Sequence, residues 1–302
     1  MKRLYIIYNP RSSRAVDVKT EVLDQTQALK GYVIGKYKID PTDVDQNATK
    51  FAKVLNDGDL VISAGGDATA VIAVNAILKS NKDVRLAVLP YGNFNDLART
   101  LRTKSLSDIF SDQAHHGKLY PLAIYIDGEF FRYATCYVTI GMTAEAVKLY
   151  DTPKVRKVLK TNFGRKIGSY TNLMSWYFKN RHKKIFLPKF KLNGALQHVK
   201  TSDYAAINGR SMARVMKGGE DFKDPKTFRS ETDRLTNFWR LFKLMTKSIF
   251  HRIPGSDTTG DTLEFLEPAT VELQAEGESH VFKDIRTIEI KKGEKCLKTI
   301  EN

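Results

Sequence analysis

The sequence predicts two architectures in one chain: an α/β fold with a parallel sheet, followed by a mostly antiparallel β fold. Three observations carry that expectation. Short apolar runs alternate with helical periodicity over about the first ninety residues, as in a sheet covered by helices on both faces. Two of those runs end in glycine turns that open helices. After Lys118 the alternation stops, and many short strand-like pieces follow around Asp127-Gly128, a strong hairpin signal. A chain of 302 residues is long enough for two domains.

Taken in order, Arg3–Tyr8 reads as a buried strand and Val16–Lys30 as a helix with Val18, Val22, Leu23 and Leu29 near one face. Tyr32–Ile39 is a second strand and Asn47–Leu55 a second helix. Asp59–Ser63 and Arg85–Leu89 are the third and fourth strands, with a helix over Thr69–Leu78 between them. Leu122–Ile126 and Glu129–Thr135 flank the Asp127-Gly128 turn. Further strands are expected at Tyr137–Ile140, Lys184–Leu192, Asp203–Asn208, Thr262–Phe265, Thr270–Gln274 and Ile285–Ile290. Two helices interrupt them. Tyr170–Asn180 aligns Tyr170, Leu173, Met174 and Tyr177. Leu235–Phe250 aligns Leu235, Phe238, Trp239, Phe242, Met245 and Ile249 on one face, with Arg240, Lys243 and Lys247 on another. That second helix reads as a core helix with a solvated polar side, or as one lying on an anionic bilayer. Asn208–Ser230 reads as a long loop.

The candidate site lies at the strand ends. Gly65-Gly66-Asp67-Ala68-Thr69 and Pro90-Tyr91-Gly92-Asn93-Phe94-Asn95-Asp96 each join a strand to a helix N-terminus, where free N–H groups and the helix dipole favour an anion. Carboxylates beside phosphates commonly hold Mg²⁺, so the pattern is that of a nucleotide site. Asn9-Pro10-Arg11-Ser12-Ser13 follows the first strand at the same sheet edge.

Composition narrows the partners. Forty-nine basic residues against 34 acidic give +15, and residues 151–200 hold thirteen Lys/Arg and one acid. Such a field draws nucleic acid, anionic phospholipid or phosphorylated substrate. No helix-turn-helix, zinc-ligand or RNP-type pattern accompanies it, so nucleic acid is not expected. A Gly-x-Ser-x-Gly elbow is absent, which removes the usual serine hydrolase. No apolar run approaches the roughly 18–20 residues of a membrane span, no secretory h-region is present, and two isolated cysteines suit a reducing compartment. A cytoplasmic protein is expected.

The motifs in their order resemble the diacylglycerol kinase catalytic domain family, a group of lipid kinases related to sphingosine and NAD kinases. The residues are Asn9-Pro10, Gly65-Gly66-Asp67-x-Thr69 and Pro90-x-Gly92-x-x-Asn95-Asp96-x-Ala98-Arg99. Ile140-Gly141-x-x-Ala144-Glu145, Gly168–Tyr170, Asn208-Gly209, Gly218-Gly219 with Pro225, and Glu276-Gly277-Glu278 follow downstream. The Asn95-Asp96-x-Ala98-Arg99 segment looks like the lipid branch. The resemblance implies an α/β nucleotide domain at 1–120 plus about 286–302, whose last strand returns to it, and a β-sandwich lipid domain at 121–285. It implies ATP held by Asn9, Pro10, Arg11, Ser12, Ser13, Gly65, Gly66, Asp67, Ala68, Thr69, Gly92, Asn93 and Asn95, with Asp96 beside the transferred phosphoryl group. Glu278 would be the general base toward a diacylglycerol-like hydroxyl. Mg²⁺ would be held by Asp67, with Glu231 and Asp233 as candidate structural ligands. The partners implied are a membrane lipid and, transiently, the anionic inner face of the membrane; an edge strand of the β domain would permit a homodimer.

Four departures set expectations. Ala68 stands where the family has glycine, and a positive φ there would cost roughly 1 kcal/mol. Asn93 and Phe94 replace threonine and a small residue, and Glu276 replaces an aspartate. In place of the family's Asp-Gly-x-Leu-Asp stands Arg229-Ser230-Glu231-Thr232-Asp233. A catalytically degenerate relative that binds nucleotide or lipid is therefore the alternative reading, and a small-molecule kinase of the NAD-kinase type a second.

Overall fold

The computed structural model describes residues 2–12, 14–40, 43–147, 169–180, 186–212, 216–218, 223–234 and 238–302. Ser13, the basic run 151–168, Lys184, Gly219 and Leu235 lie outside the described residues. The chain divides into one unit of Met1–Pro121, Phe222–Pro225 and Gly293–Asn302, and another of Leu122–Asp221 and Lys226–Lys292.

The apolar runs of the first unit become β1 (Lys2–Tyr8), β2 (Tyr32–Lys38), β3 (Leu60–Gly65) and β4 (Arg85–Pro90), all parallel. A fifth strand, β5 (His115–Leu119), was not expected. The sheet order is β2-β1-β3-β4, then Leu297–Glu301 from the far end of the chain, then β5. That late strand runs parallel to β4 and antiparallel to β5. β3 is buried along its whole length and β4 through its middle, as parallel strands covered on both faces must be.

The helix expected over Val16–Lys30 is broken into α1 (Ala15–Val18), a π-helical turn Lys19–Leu23, and α2 (Asp24–Thr26); it still buries Val18, Val22 and Leu23. The next, α3 (Val44–Ala52), starts earlier than its apolar pattern because Asp43 caps it, its carboxylate accepting from Gln46 N at 2.8 Å. α4 (Asp67–Ser80) buries every residue from Thr69 to Leu78 and ends on left-handed Asn81. α5 (Asp96–Leu101) follows the second glycine turn, and α6 (Leu106–Phe110) opens with a Ser105/Asp108 capping box.

The second unit holds β6 (Leu122–Ile126), β7 (Glu129–Ala134), β8 (Tyr137–Gly141), α7 (Met142–Val147) and α8 (Ser169–Asn180). β9 (Phe190–Leu192), β10 (Ala195–Leu196), β11 (Asp203–Ile207), β12 (Ser211–Met212), β13 (Met216–Lys217) and β14 (Phe228–Asp233) come next. α9 (Phe238–Phe250), β15 (Ser256–Thr258), β16 (Gly260–Ala275) and β17 (Glu278–Lys292) complete it. Leu297–Glu301, already placed in the first unit, is β18.

Ten of these strands form one antiparallel sheet, ordered β15-β14-β11-β8-β16-β17-β6-β7 with β9 and β10 branching from β16. The pieces expected at Thr262–Phe265 and Thr270–Gln274 are one long strand, β16, whose pairing with β17 shifts register between Glu264 and Val271; such bulges bend a sheet. β17 continues to Lys292 inside this unit, so the return to the first unit begins at Gly293, later than the expected 286. Asp127-Gly128 turns with φ +49° and +82° as its sequence predicts, and Asn193-Gly194 and Glu276-Gly277 repeat that geometry. Tyr204, Phe190, Phe228, Leu263 and Ile288 fill the core.

One expected apolar face is outside that core. Trp239 is 72% exposed, Phe242 42% and Phe250 70%, so the reading of α9 as a core helix fails for its described aromatics.

Candidate functional site

The three loops of the first unit meet at the C-terminal edge of β1, β3 and β4. Asn9 Oδ1 accepts from Arg11 N at 2.8 Å and Asn9 O from Ser12 N at 3.2 Å, which folds the chain into a turn after β1. Arg14 reaches across to Pro90 O at 3.0 Å and stacks its guanidinium 4.8 Å from the Tyr91 ring. Tyr91 donates to Glu21 at 2.8 Å; burial, then that bond, push its phenol up. Ser12 Oγ is buried without a hydrogen-bond partner among the described residues.

Gly66 and Gly92 are glycines for a reason the motifs alone did not give. The turns pack backbone on backbone: a Cβ at Gly92 would overlap Gly66 Cα, and Tyr91 N donates to Gly65 O at 2.9 Å. The Thr69 side chain lies against Gly65, where any Cβ would displace it. Asn95 fastens the second turn with a pair of bonds, accepting from Gly92 N at 2.7 Å and donating to Gly92 O at 2.8 Å, while its own φ is +59°. Asp67 joins the two turns. Its carboxylate accepts from Asn95 N at 2.9 Å and Asp96 N at 2.7 Å, capping α5 from the neighbouring loop.

At Ala68 the condition for strain is not met. The residue is the second of α4 and is absent from the positive-φ positions, so the strain attached to it does not arise. Phe94 and Asn93 are half-buried, and Asp96 is buried. A phosphate suits this edge: α4 begins at Gly66 without a side-chain cap, and among the described residues the Ser12 hydroxyl has no partner. Among the described residues no group of three or more His, Cys, Asp or Glu could hold a metal ion. Each Asp67 oxygen accepts one backbone hydrogen.

In the second unit, Glu278 opens β17 directly after the Glu276-Gly277 turn. Its carboxylate pairs with Arg132 of β7 at 2.7 Å, and His280 Nε2 lies 3.6 Å away. Arg132 is buried and stacks on Phe131, which also meets the His280 ring edge-on. Arg132 was missed in the sequence, although it shares strand parity with buried Ala134 and an inward arginine needs a partner.

Glu276 points elsewhere. Its buried carboxylate accepts from Thr135 N, Thr135 Oγ1 and Cys136 N at the bend between β7 and β8. Asn208 donates to Thr135 O at 2.7 Å and takes a bond from Lys292 Nζ, while Asn208 N and Gly209 N both donate to Cys136 O. Gly209 has no room for a Cβ beside Cys136, and Gly218 none beside Gly209 O. Three motif pieces thus form one knot around Thr135-Cys136.

Glu231 and Asp233 share a face of β14, and Asp203 on β11 stands opposite Asp233. Burial pushes Asp203 up to about 7, Asp233 adding to the rise while two bonds from Thr143 oppose it. Burial and then Asp233 push Glu231 up to about 7, and burial raises Asp233.

Residues 3–122 match the sequence profile of the Diacylglycerol kinase catalytic domain. Over those residues the chain is similar to that family. A diacylglycerol kinase of Bacillus subtilis (strain 168) is 35% identical over 167 residues, 53% of this chain and 52% of that protein. One from Staphylococcus haemolyticus (strain JCSC1435) is 34% identical over 104 residues, 33% of this chain and 30% of that protein. The chain therefore spans about half or less of the length of these curated relatives. A solved structure of a diacylglycerol kinase from Bacillus anthracis str. Sterne shares the fold, with a TM-score of 0.68 at 17% identity over 100% of this chain and 97% of that one. Within the described residues no helix is long and apolar enough to cross a membrane.

Proposed function

We propose that the protein is an ATP-dependent lipid kinase, moving the γ-phosphoryl group to the hydroxyl of a diacylglycerol-like membrane lipid. The observation that carries this is the coupling of the two glycine turns through Asp67, together with the family match over the same residues. Phosphoryl transfer is largely positioning and charge stabilisation, and turns locked to each other need little reorganisation when nucleotide arrives. In this reading the Asn9–Ser12 turn, the Gly65–Thr69 turn, Gly92, Asn93 and Asn95 bind the phosphates, and Asp96 borders the transferred group. Mg²⁺ comes bound to the phosphates, where it neutralises their charge. Glu278 takes the proton from the lipid hydroxyl. Such an acceptor lies in a bilayer, so contact with the inner face of the membrane belongs to the same proposal.

The Arg132–Glu278 pair favours a second reading, a relative that binds nucleotide or lipid without transfer, because the carboxylate is already engaged. One experiment separates them. Labelled Mg·ATP is incubated with a panel of lipid hydroxyls in mixed micelles, with Glu278→Ala and Asp67→Ala as controls. Lipid phosphorylation lost in both variants supports the kinase. Nucleotide binding without transfer to any lipid supports the second reading.

A further inference from the structure

We infer that the outer face of α9 is a docking surface for an anionic lipid bilayer. At about 100° per residue, Trp239, Phe242 and Phe250 fall within a sector of roughly 80°. Arg240, Lys243 and Lys247 follow directly beside them, all three exposed. An aromatic ridge and a basic ridge therefore run side by side along one helix that contains no acid.

A single exposed apolar residue is ordinary; three large aromatics on one helix face are not. Trp239 and Phe242 meet edge-on at 6.2 Å, partnering each other at the surface. The helix is held from its far end: Lys217 Nζ donates to Phe250 O at 3.1 Å, and Ile253 N donates to Lys217 O at 3.0 Å. A fixed helix offering Trp and Phe at headgroup depth, with cations alongside at the level of the phosphates, matches the charge and layering of an anionic membrane surface. The net charge of +15 acts in the same direction. The choice of a bilayer as occupant rests on the lipid-kinase reading; the exposed face does not.

The chain has two tryptophans, and Trp176 is buried, so Trp239 reports directly on the surface. The intact protein is mixed with vesicles of phosphatidylcholine alone or with phosphatidylglycerol. Sedimentation and tryptophan emission are followed, with bromine-labelled acyl chains as quencher. Expected are co-sedimentation and a blue-shifted, quenched emission with the anionic vesicles, weakened at high salt. The triple variant Trp239→Ala/Phe242→Ala/Phe250→Ala should lose at least tenfold in partition, and Lys243→Glu/Lys247→Glu should lose several-fold. Unquenched Trp239 emission in the unaltered protein, or equal partition of the triple variant, overturns the proposal. So does equal binding to both vesicle types. Phosphorylation of a short-chain diacylglycerol dissolved in detergent should be unchanged in the triple variant, which keeps a failure of docking distinct from a failure of the kinase reading.

Discussion

The paired glycine turns of the first unit and the Glu276-Gly277-Glu278 turn of the other unit resemble each other in sequence but use their residues in opposite ways. At Gly66 and Gly92 the missing side chain is what matters, since backbone meets backbone there. At Gly277 space is open and only φ +91° calls for glycine, while the neighbouring carboxylates do the joining. Asp67 ties together two turns 28 residues apart in the chain, and Arg132 and Glu278 meet across 146. Steric exclusion makes the first site; long-range polar pairing makes the second.

The strongest way to break this contrast is to add one methyl group to each site. Gly92→Ala drives a Cβ into Gly66 Cα, which cannot step aside, and should cost about 3 kcal/mol or more and abolish nucleotide binding. Gly277→Ala should cost only about 1 kcal/mol of backbone strain and leave nucleotide binding intact. Thermal melting and titration calorimetry check both. Glu276→Ala should lower stability by about 2–3 kcal/mol, because the Thr135 and Cys136 donors lose a charged acceptor in a buried place. Denaturant unfolding measures that, and Glu276→Gln should recover part of it.

The acidic cluster sharpens the same comparison through pH. Asp203 and Glu231 have folded values near 7, above those of the unfolded chain, so the folded state binds more protons between about pH 4 and 7. Their contribution therefore falls as pH rises through that window. The second unit should melt higher at pH 5 than at pH 8, and Asp203→Asn should flatten the difference. The smallest effect is at Ala68. Within a helix, Ala68→Gly should destabilise by up to about 1 kcal/mol, not relieve strain.

These differences also explain what the sequence disclosed. The parallel strands and their turns were legible because apolar runs stop at glycines, and β3 and β4 fall within a residue or two of the runs that announced them. β5 was hidden because His115-His116-Gly117-Lys118 has no apolar alternation; it is an edge strand held by its pairing with β18. The residues of the first site were named from local motifs, but the use of Asp67 was not, since a carboxylate capping a helix from a neighbouring loop leaves no spacing to read. Arg132 was illegible as a partner of Glu278 for the same reason. On α9 the periodicity correctly grouped Trp239 with Phe242, yet periodicity cannot say which side faces water.

β18 has a temporal consequence. It sits between β4 and β5, and among the described residues β5 pairs with no other strand of the sheet. A ribosome delivers residues in order, so the first unit can close its sheet only after residues 297–301 have been made. By then every described strand of the second unit has been synthesised. The unit begun first is thus completed last, and until then the flank of β4 stays open to pairing with other chains.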